Sequence, residues 1–179
     1  MEYKYPAYMD AVWLKEQRNR PILMRWFRQQ HPITDKEQMN WYINLDTSKN
    51  KPFVIWDGDE RIGYVGLNPV DLRHSKGEFG IFISPEYQGK GYAQKAMEFI
   101  LRYGFLELNL HKIYSDVFDI PGNAWPLYEK LGFVKEGLLK EEYFKDNMLI
   151  DSIRFSMTIN RYKELYPCKS PSLLETSTP

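Results

Sequence analysis

Apolar residues recur along this chain at several distinct spacings, and each spacing predicts an element. Ala93, Ala96, Met97, Ile100, Leu101 and Gly104 fall three and four apart, which makes one face of an amphipathic helix running to about residue 106. Between residues 11 and 29, Val12, Leu14, Leu23, Met24 and Phe27 are interleaved with charge and interrupted by Pro21, so two short helical pieces joined near residues 18–21 are expected. Thr34 followed by Glu37 has capping-box spacing, and Met39, Tyr42 and Ile43 then share a face; a helix starts at Thr34. Residues 52–56 and 61–67 are β-rich runs flanking Asp57-Gly58-Asp59-Glu60, whose Asp-Gly step suits a hairpin turn. Residues 78–83, 112–118, 133–137 and 149–159 complete the strand set, with polar loops at 71–77 and 84–92. A short helix over 124–131 is stopped by Gly132 at its C-cap. Helices first, then strands of mixed direction with two inserted helices, predict one α/β sheet domain over residues 1–166. Residues 167–179 are rich in Ser, Thr and Pro with little to bury, and a disordered tail is expected there.

Composition narrows the possible functions. The 24 Lys plus Arg balance 24 Asp plus Glu among 179 residues, so the overall field favours neither nucleic acid nor an acidic membrane surface. Phosphate recognition must then be local. Cys168 has no partner for an internal disulfide, and no Cys/His spacing of the metal-binding kind occurs, which suits a reducing, cytoplasmic setting without metal catalysis. No run approaches the roughly 18 apolar residues of a membrane span.

The segment EFGIFISPEYQGKGYA, residues 78–93, leads from an apolar strand through a glycine-containing loop into a helix. Gly89 and Gly91 allow a ligand close to the backbone, and loop amides beside a helix N-terminus form a donor array suited to a diphosphate. An isolated Gly-x-Gly is also an ordinary tight turn. The wider segment resembles the acetyl-CoA signature of the GNAT acetyltransferase superfamily, Gln/Arg-x-x-Gly-x-Gly/Ala, matched by Gln88, Gly91 and Ala93. Downstream, residues 124–133 resemble its second signature through Ala124, Leu127-Tyr128 and Gly132-Phe133. The resemblance covers roughly residues 53–162.

It implies a GNAT fold, a mixed central sheet with splayed parallel strands flanked by helices, and direct attack of a primary amine on acetyl-CoA as co-substrate. The absence of a Ser-His-carboxylate set or an available Cys agrees with a route lacking an acyl-enzyme. By the same resemblance, Phe82 and Ile83 present backbone groups to the pantetheine arm and acetyl carbonyl, while Gln88, Gly89, Gly91, Tyr92 and Ala93 cradle the pyrophosphate. Tyr128 matches the position that protonates the departing thiolate. Glu78 matches one that serves some members as general base, since an alkylammonium of pKa about 10.4 must lose a proton before attack. The second signature departs from the family pattern where Pro121 stands in place of an Asn that contacts the CoA arm. Asn123 either takes over that contact or caps the following helix. His31, His74 and His111 are isolated and read as surface or turn residues.

Residues 136–157 resemble a branch containing ribosomal-protein N-terminal, diamine and nucleotide-aminosugar acetyltransferases. Arg18-Asn19-Arg20-Pro21, Trp26 and Trp41 look most like the aminosugar group, with Arg18, Arg20 and Arg25 facing a nucleotide diphosphate and Trp26 or Trp41 stacking on a sugar or base. Helix-surface charge and buried aromatics account equally for these residues. A small-molecule amine is the expected acceptor, a nucleotide-linked aminosugar ahead of a polyamine, because the neutral charge balance supplies no general attraction for polycations, although a local acidic groove escapes that test. Acetylation of a protein N-terminus and a non-catalytic CoA-binding module remain as alternatives. The protein is expected to be a monomer or homodimer.

Overall fold

The computed structural model describes residues 1–29 and 31–167; Cys168 and the rest of the expected tail lie outside them. Among the described residues one sheet runs in the order β1 (Glu2–Lys4), β2 (Lys51–Asp57), β3 (Glu60–Asp71), β4 (Lys76–Ile83), β5 (Lys112–Phe118), β7 (Met148–Thr158) and β6 (Val134–Lys145). Neighbours are antiparallel except β4 and β5. That parallel step needs a crossover, supplied by α4 (Tyr92–Arg102), whose Met97, Ile100 and Leu101 are fully or almost fully buried on one face. Burying each such side chain contributes about 1.5–3 kcal/mol, enough to hold the crossover on the sheet.

The N-terminal segment folds as the spacing predicts. α1 (Tyr8–Arg18) ends before Pro21, which opens α2 (Pro21–Met24) at the first helical position, where its missing N–H and fixed φ are harmless. α3 (Asp35–Ile43) starts after Thr34, with Thr34 N–H donating to Glu37 Oε2 at 2.8 Å and Glu37 N–H donating to Thr34 Oγ1 at 3.2 Å. Two further helices follow, α5 (Trp125–Lys130) and α6 (Ile159–Leu165).

Four readings of the pattern are corrected. β3 and β4 extend into the polar segment 71–77 and leave only a short turn. The helix expected to reach residue 106 widens after Arg102 into a π turn over Tyr103–Glu107. β1 and α6, too short for a period to register, were not predicted. β6 runs to Lys145 rather than ending near 137, because its polar, exposed sequence carries no alternation and only pairing with β7 makes it a strand.

The two faces of the sheet bury different cores. Phe79, Ile83, Ala96, Met97, Tyr128 and Phe155 belong to the larger cluster, beneath α4 and α5. Phe82 belongs to a second, with Leu14, Leu23 and Val54, beneath α1 and α2. Alternation along β4 sends successive side chains to the two sides. No helix of the described residues is long and apolar enough to cross a membrane.

Candidate active site

The parallel pair β4–β5 is short. Only Lys76–Lys112, Gly77–Ile113 and Glu78–Tyr114 are in register, after which β4 continues with β3 alone and β5 with β7 alone. From Phe79 to Ile83 the β5-facing edge of β4 is therefore unpaired, and buried backbone polar groups of that kind need partners. A cavity of about 520 Å³ occupies the gap. Its walls come from both sides of the sheet: Arg18 from α1, Trp26 and Arg28 from the turn that follows α2, and Ala93, Met97, Leu127 and Tyr128 from α4 and α5.

At one end, Gln88 donates through Nε2 to the Ile83 carbonyl at 2.9 Å, tying the loop to the end of β4. Gly89 and Gly91 have φ of +73° and +80°, and a Cβ at either would meet nothing within 4 Å. The loop thus keeps a side-chain-free surface facing open space. Gly91 is also the N-cap of α4 and has no side chain to occupy the first-turn N–H groups, so these donors and the helix dipole remain available to an anion. Phe82, Ile83, Gln88 and Ala93 line the cavity, whereas Gly89, Gly91 and Tyr92 do not; the Tyr92 hydroxyl donates to Asp57 and its ring lies against Tyr87. These residues fit a pyrophosphate-bearing group with an extended arm.

Tyr128 sits at the fork of the strands. Its ring packs on Phe79, with Phe133 and Phe155 also in contact, at centroid distances of 5.2, 5.6 and 5.8 Å. Its hydroxyl reaches Ser115 of β5. Phe79 and Ser115 are the first residues of their strands past the last parallel pair, so Tyr128 spans the opening. It is 5% exposed, and burial pushes the phenol up to about 12, with the Ser115 hydrogen bond pulling the other way.

Glu78 lies at the same fork, one residue before Phe79 and so on the opposite face. Its Oε1 accepts a 2.5 Å bond from Arg28 Nη2, and the side chains are 18% and 46% exposed respectively. Arg28 is also 3.9 Å from Asp116 Oδ2 and lies over the Tyr143 ring at 5.2 Å. Burial would lower the Arg28 pKa, but Glu78, Tyr143 and Asp116 outweigh it and raise it. Asp116, directly opposite Arg154 in the β5–β7 register, takes two 2.7 Å bonds from that guanidinium. Arg28, Ser115, Asp116 and Arg154 escaped the sequence reading, since what joins them is strand register and not spacing.

Lys145, 6% exposed at the end of β6, was also missed. Its Nζ donates to the carbonyls of Met24, Phe27 and Gln29 at 2.9, 2.6 and 3.1 Å, pinning the segment that carries Trp26 and Arg28 above the cavity. Asn123 commits its amide elsewhere: Nδ2 donates to Phe118 O at 3.1 Å, and Oδ1 accepts from the Trp125 N–H at 3.4 Å. It joins the end of β5 to the start of α5, while its neighbours Gly122 and Ala124 line the cavity. Of the residues expected to meet a nucleotide, Arg18 and Trp26 line the cavity. Arg20 pairs with Glu86 at 2.5 Å, Arg25 lies over the Trp26 ring, and Trp41 packs against the second core. His74 bonds Asp71, His31 bonds Pro32 O, and His111 is exposed; none lines the cavity.

The sequence profile of the acetyltransferase (GNAT) family matches residues 17–133. The spermidine N(1)-acetyltransferase of Vibrio cholerae serotype O1 is 36% identical over 145 residues, covering 80% of this chain and 84% of that protein. The Escherichia coli K12 spermidine N(1)-acetyltransferase is 31% identical over 157 residues, covering 88% and 84%. The crystal structure of the Vibrio cholerae spermidine N-acetyltransferase in complex with CoA and spermine superposes with a TM-score of 0.84 at 31% identity, covering 90% of this chain and 96% of that one. With the forked strands, the bare glycine loop and Tyr128 at the fork, these likenesses converge: the chain belongs to the acetyltransferase (GNAT) family and is an acetyl-CoA-dependent N-acetyltransferase.

Proposed function

We propose that the acceptor is a small polyamine-class primary amine, entering from the side of α1 and α2, while the loop at Gly89 and Gly91 holds the pyrophosphate of acetyl-CoA. The observation carrying this reading is the parting of β4 from β5 at Glu78 and Tyr114, with Tyr128 on one face of the opening and Glu78 on the other. The unpaired edge of β4 supplies backbone groups to the pantetheine arm and acetyl carbonyl. Glu78 takes a proton from the acceptor ammonium, the amine nitrogen bonds to the acetyl carbon, and the carbon–sulfur bond breaks as the nitrogen gives up its second proton, which restores the one that Tyr128 loses. Tyr128 donates its phenolic hydrogen to the departing sulfur. The surrounding aromatic rings exclude water, which strengthens that donation.

Two features support a polyamine over the aminosugar expected from the N-terminal residues. The relatives named above are spermidine acetyltransferases, and two carboxylates, Glu78 and Asp116, line the cavity despite the neutral overall charge. The aminosugar reading keeps one observation in its favour, the presence of Arg18 and Trp26 in the same cavity. Thiol release from acetyl-CoA, measured with spermidine, spermine and a nucleotide-linked 4-amino sugar, separates the two. Saturable turnover with spermidine is expected. Turnover with the aminosugar and none above background with either polyamine refutes the proposal.

A further inference from the structure

Building on that acceptor reading, we propose that Arg28 sets acceptor preference by standing in for the acceptor's ammonium: its guanidinium occupies the carboxylates Glu78 and Asp116 and must be displaced when the amine binds. Geometry marks Arg28 as the exchangeable member of the cluster. The carboxylates are the more buried partners, at 18% and 5% exposure, whereas Arg28 is 46% exposed and approaches them on a long stem. Asp116 is already anchored by two bonds from Arg154, itself over the Tyr114 ring, while Arg28 makes a single short bond to Glu78 and a looser approach to Asp116. The backbone on both sides of Arg28 is fixed through the Lys145 bonds to Phe27 and Gln29, so departure of the guanidinium needs only side-chain rotation.

A buried carboxylate stripped of its cation is costly unless another cation replaces it. Entry of the acceptor is then an exchange of ammonium for guanidinium, and the local charge stays constant. The exchange also frees the Glu78 oxygen that Arg28 holds, so both carboxylate oxygens then face the amine. A monoamine and a diamine face the same first displacement, but a second ammonium on the diamine reaches Asp116 as well, so removing Arg28 favours the diamine more.

The test uses Arg28→Gln, which keeps the polar stem and removes the charge, with Arg28→Lys as the charge-conserving control. For Arg28→Gln the KM for 1,4-diaminobutane is expected to fall roughly threefold to tenfold, in line with one half-exposed ion pair, with the acetyl-CoA KM unchanged and Arg28→Lys near wild type. Guanidinium chloride at millimolar concentration, tested against an equal ionic strength of NaCl, raises the Arg28→Gln diamine KM back toward wild type. An unchanged diamine KM in the folded variant, or acetyl-CoA and diamine KM moving together, overturns the proposal. Calorimetric binding of 1,4-diaminobutane without acetyl-CoA separates this inference from the acceptor reading. Tighter binding to Arg28→Gln supports the displacement even if wild type proves not to acetylate polyamines, and equal or absent binding overturns it.

Discussion

Replacing Tyr128 by Phe removes one oxygen and keeps the ring against Phe79, Phe133 and Phe155. Two effects follow, on different scales. For catalysis, burial raises the phenol to about 12, above the ordinary thiol value near 8.5, so full proton transfer to the thiolate is uphill. The same dry surroundings raise the thiolate's proton affinity, which narrows the gap. The smallest assistance Tyr128 gives is then a hydrogen bond to a developing anion, about 1.5–3 kcal/mol, equivalent to roughly 10- to 200-fold in rate. For stability, loss of the hydroxyl leaves the buried Ser115 short of a partner, at about 0.5–1.5 kcal/mol. The assay is thiol release in a single turnover at saturating acetyl-CoA and amine, with calorimetric acetyl-CoA affinity and the melting point measured beside it. The expected outcome is a 10- to 200-fold slower chemical step, unchanged acetyl-CoA affinity and a melting point lower by a few degrees. A folded variant that turns over at the wild-type rate with chemistry limiting refutes the assignment and leaves Tyr128 a packing residue.

Gly91→Val should weaken acetyl-CoA binding while the protein remains folded, because the new side chain projects into open space and the fold suffers only the positive φ, about 1–2 kcal/mol; unaltered affinity by calorimetry removes the phosphate cradle. Lys145→Met strips three carbonyls of a buried donor and should lower unfolding stability by about 2–4 kcal/mol in urea, with a shift below about 1 kcal/mol showing that the N-terminal segment is held by other contacts. Gly63→Ala places a Cβ 2.5 Å from the Phe82 carbonyl oxygen, so a loss of about 1–3 kcal/mol is expected by the same method, together with a raised acetyl-CoA KM if β4 shifts; wild-type behaviour on both counts disproves the close approach. Burial pushes Tyr3, Tyr64 and Tyr128 up to about 12, so the folded state holds their protons more tightly than the unfolded chain, where tyrosine titrates near 10. Their stabilisation is complete below about pH 10 and is lost as pH rises toward 12, and Tyr64→Phe should flatten the decline in urea stability between pH 9 and 11; an unchanged slope counts against it.

Much of this protein was legible before its structure. The period of Ala93 to Leu101 predicts α4, and Thr34 with Glu37 predicts the start of α3, because helical spacing and capping depend on residues a turn apart. The loop at Gly89 and Gly91 and the tyrosine at 128 stood out for a similar reason, since their chemistry lies within short, contiguous motifs. The paired carboxylates and guanidiniums at the cavity did not. Arg28 and Glu78 are 50 residues apart, Asp116 and Arg154 are 38 apart, and Lys145 is more than 100 from the carbonyls it binds. Such pairs have no periodicity to read; they exist only once β5 has registered against β7 and the N-terminal helices have settled over the fork. Acceptor preference belongs to that second kind of information. The amino-acid sequence alone determined the bare glycine loop and, through the resemblance of two short motifs to the acetyltransferase family, the class of reaction, because both lie within contiguous stretches of chain. Which charges gather at the fork of β4 and β5 was decided only by tertiary packing, because electrostatic contacts depend on distance in space and not on distance along the chain.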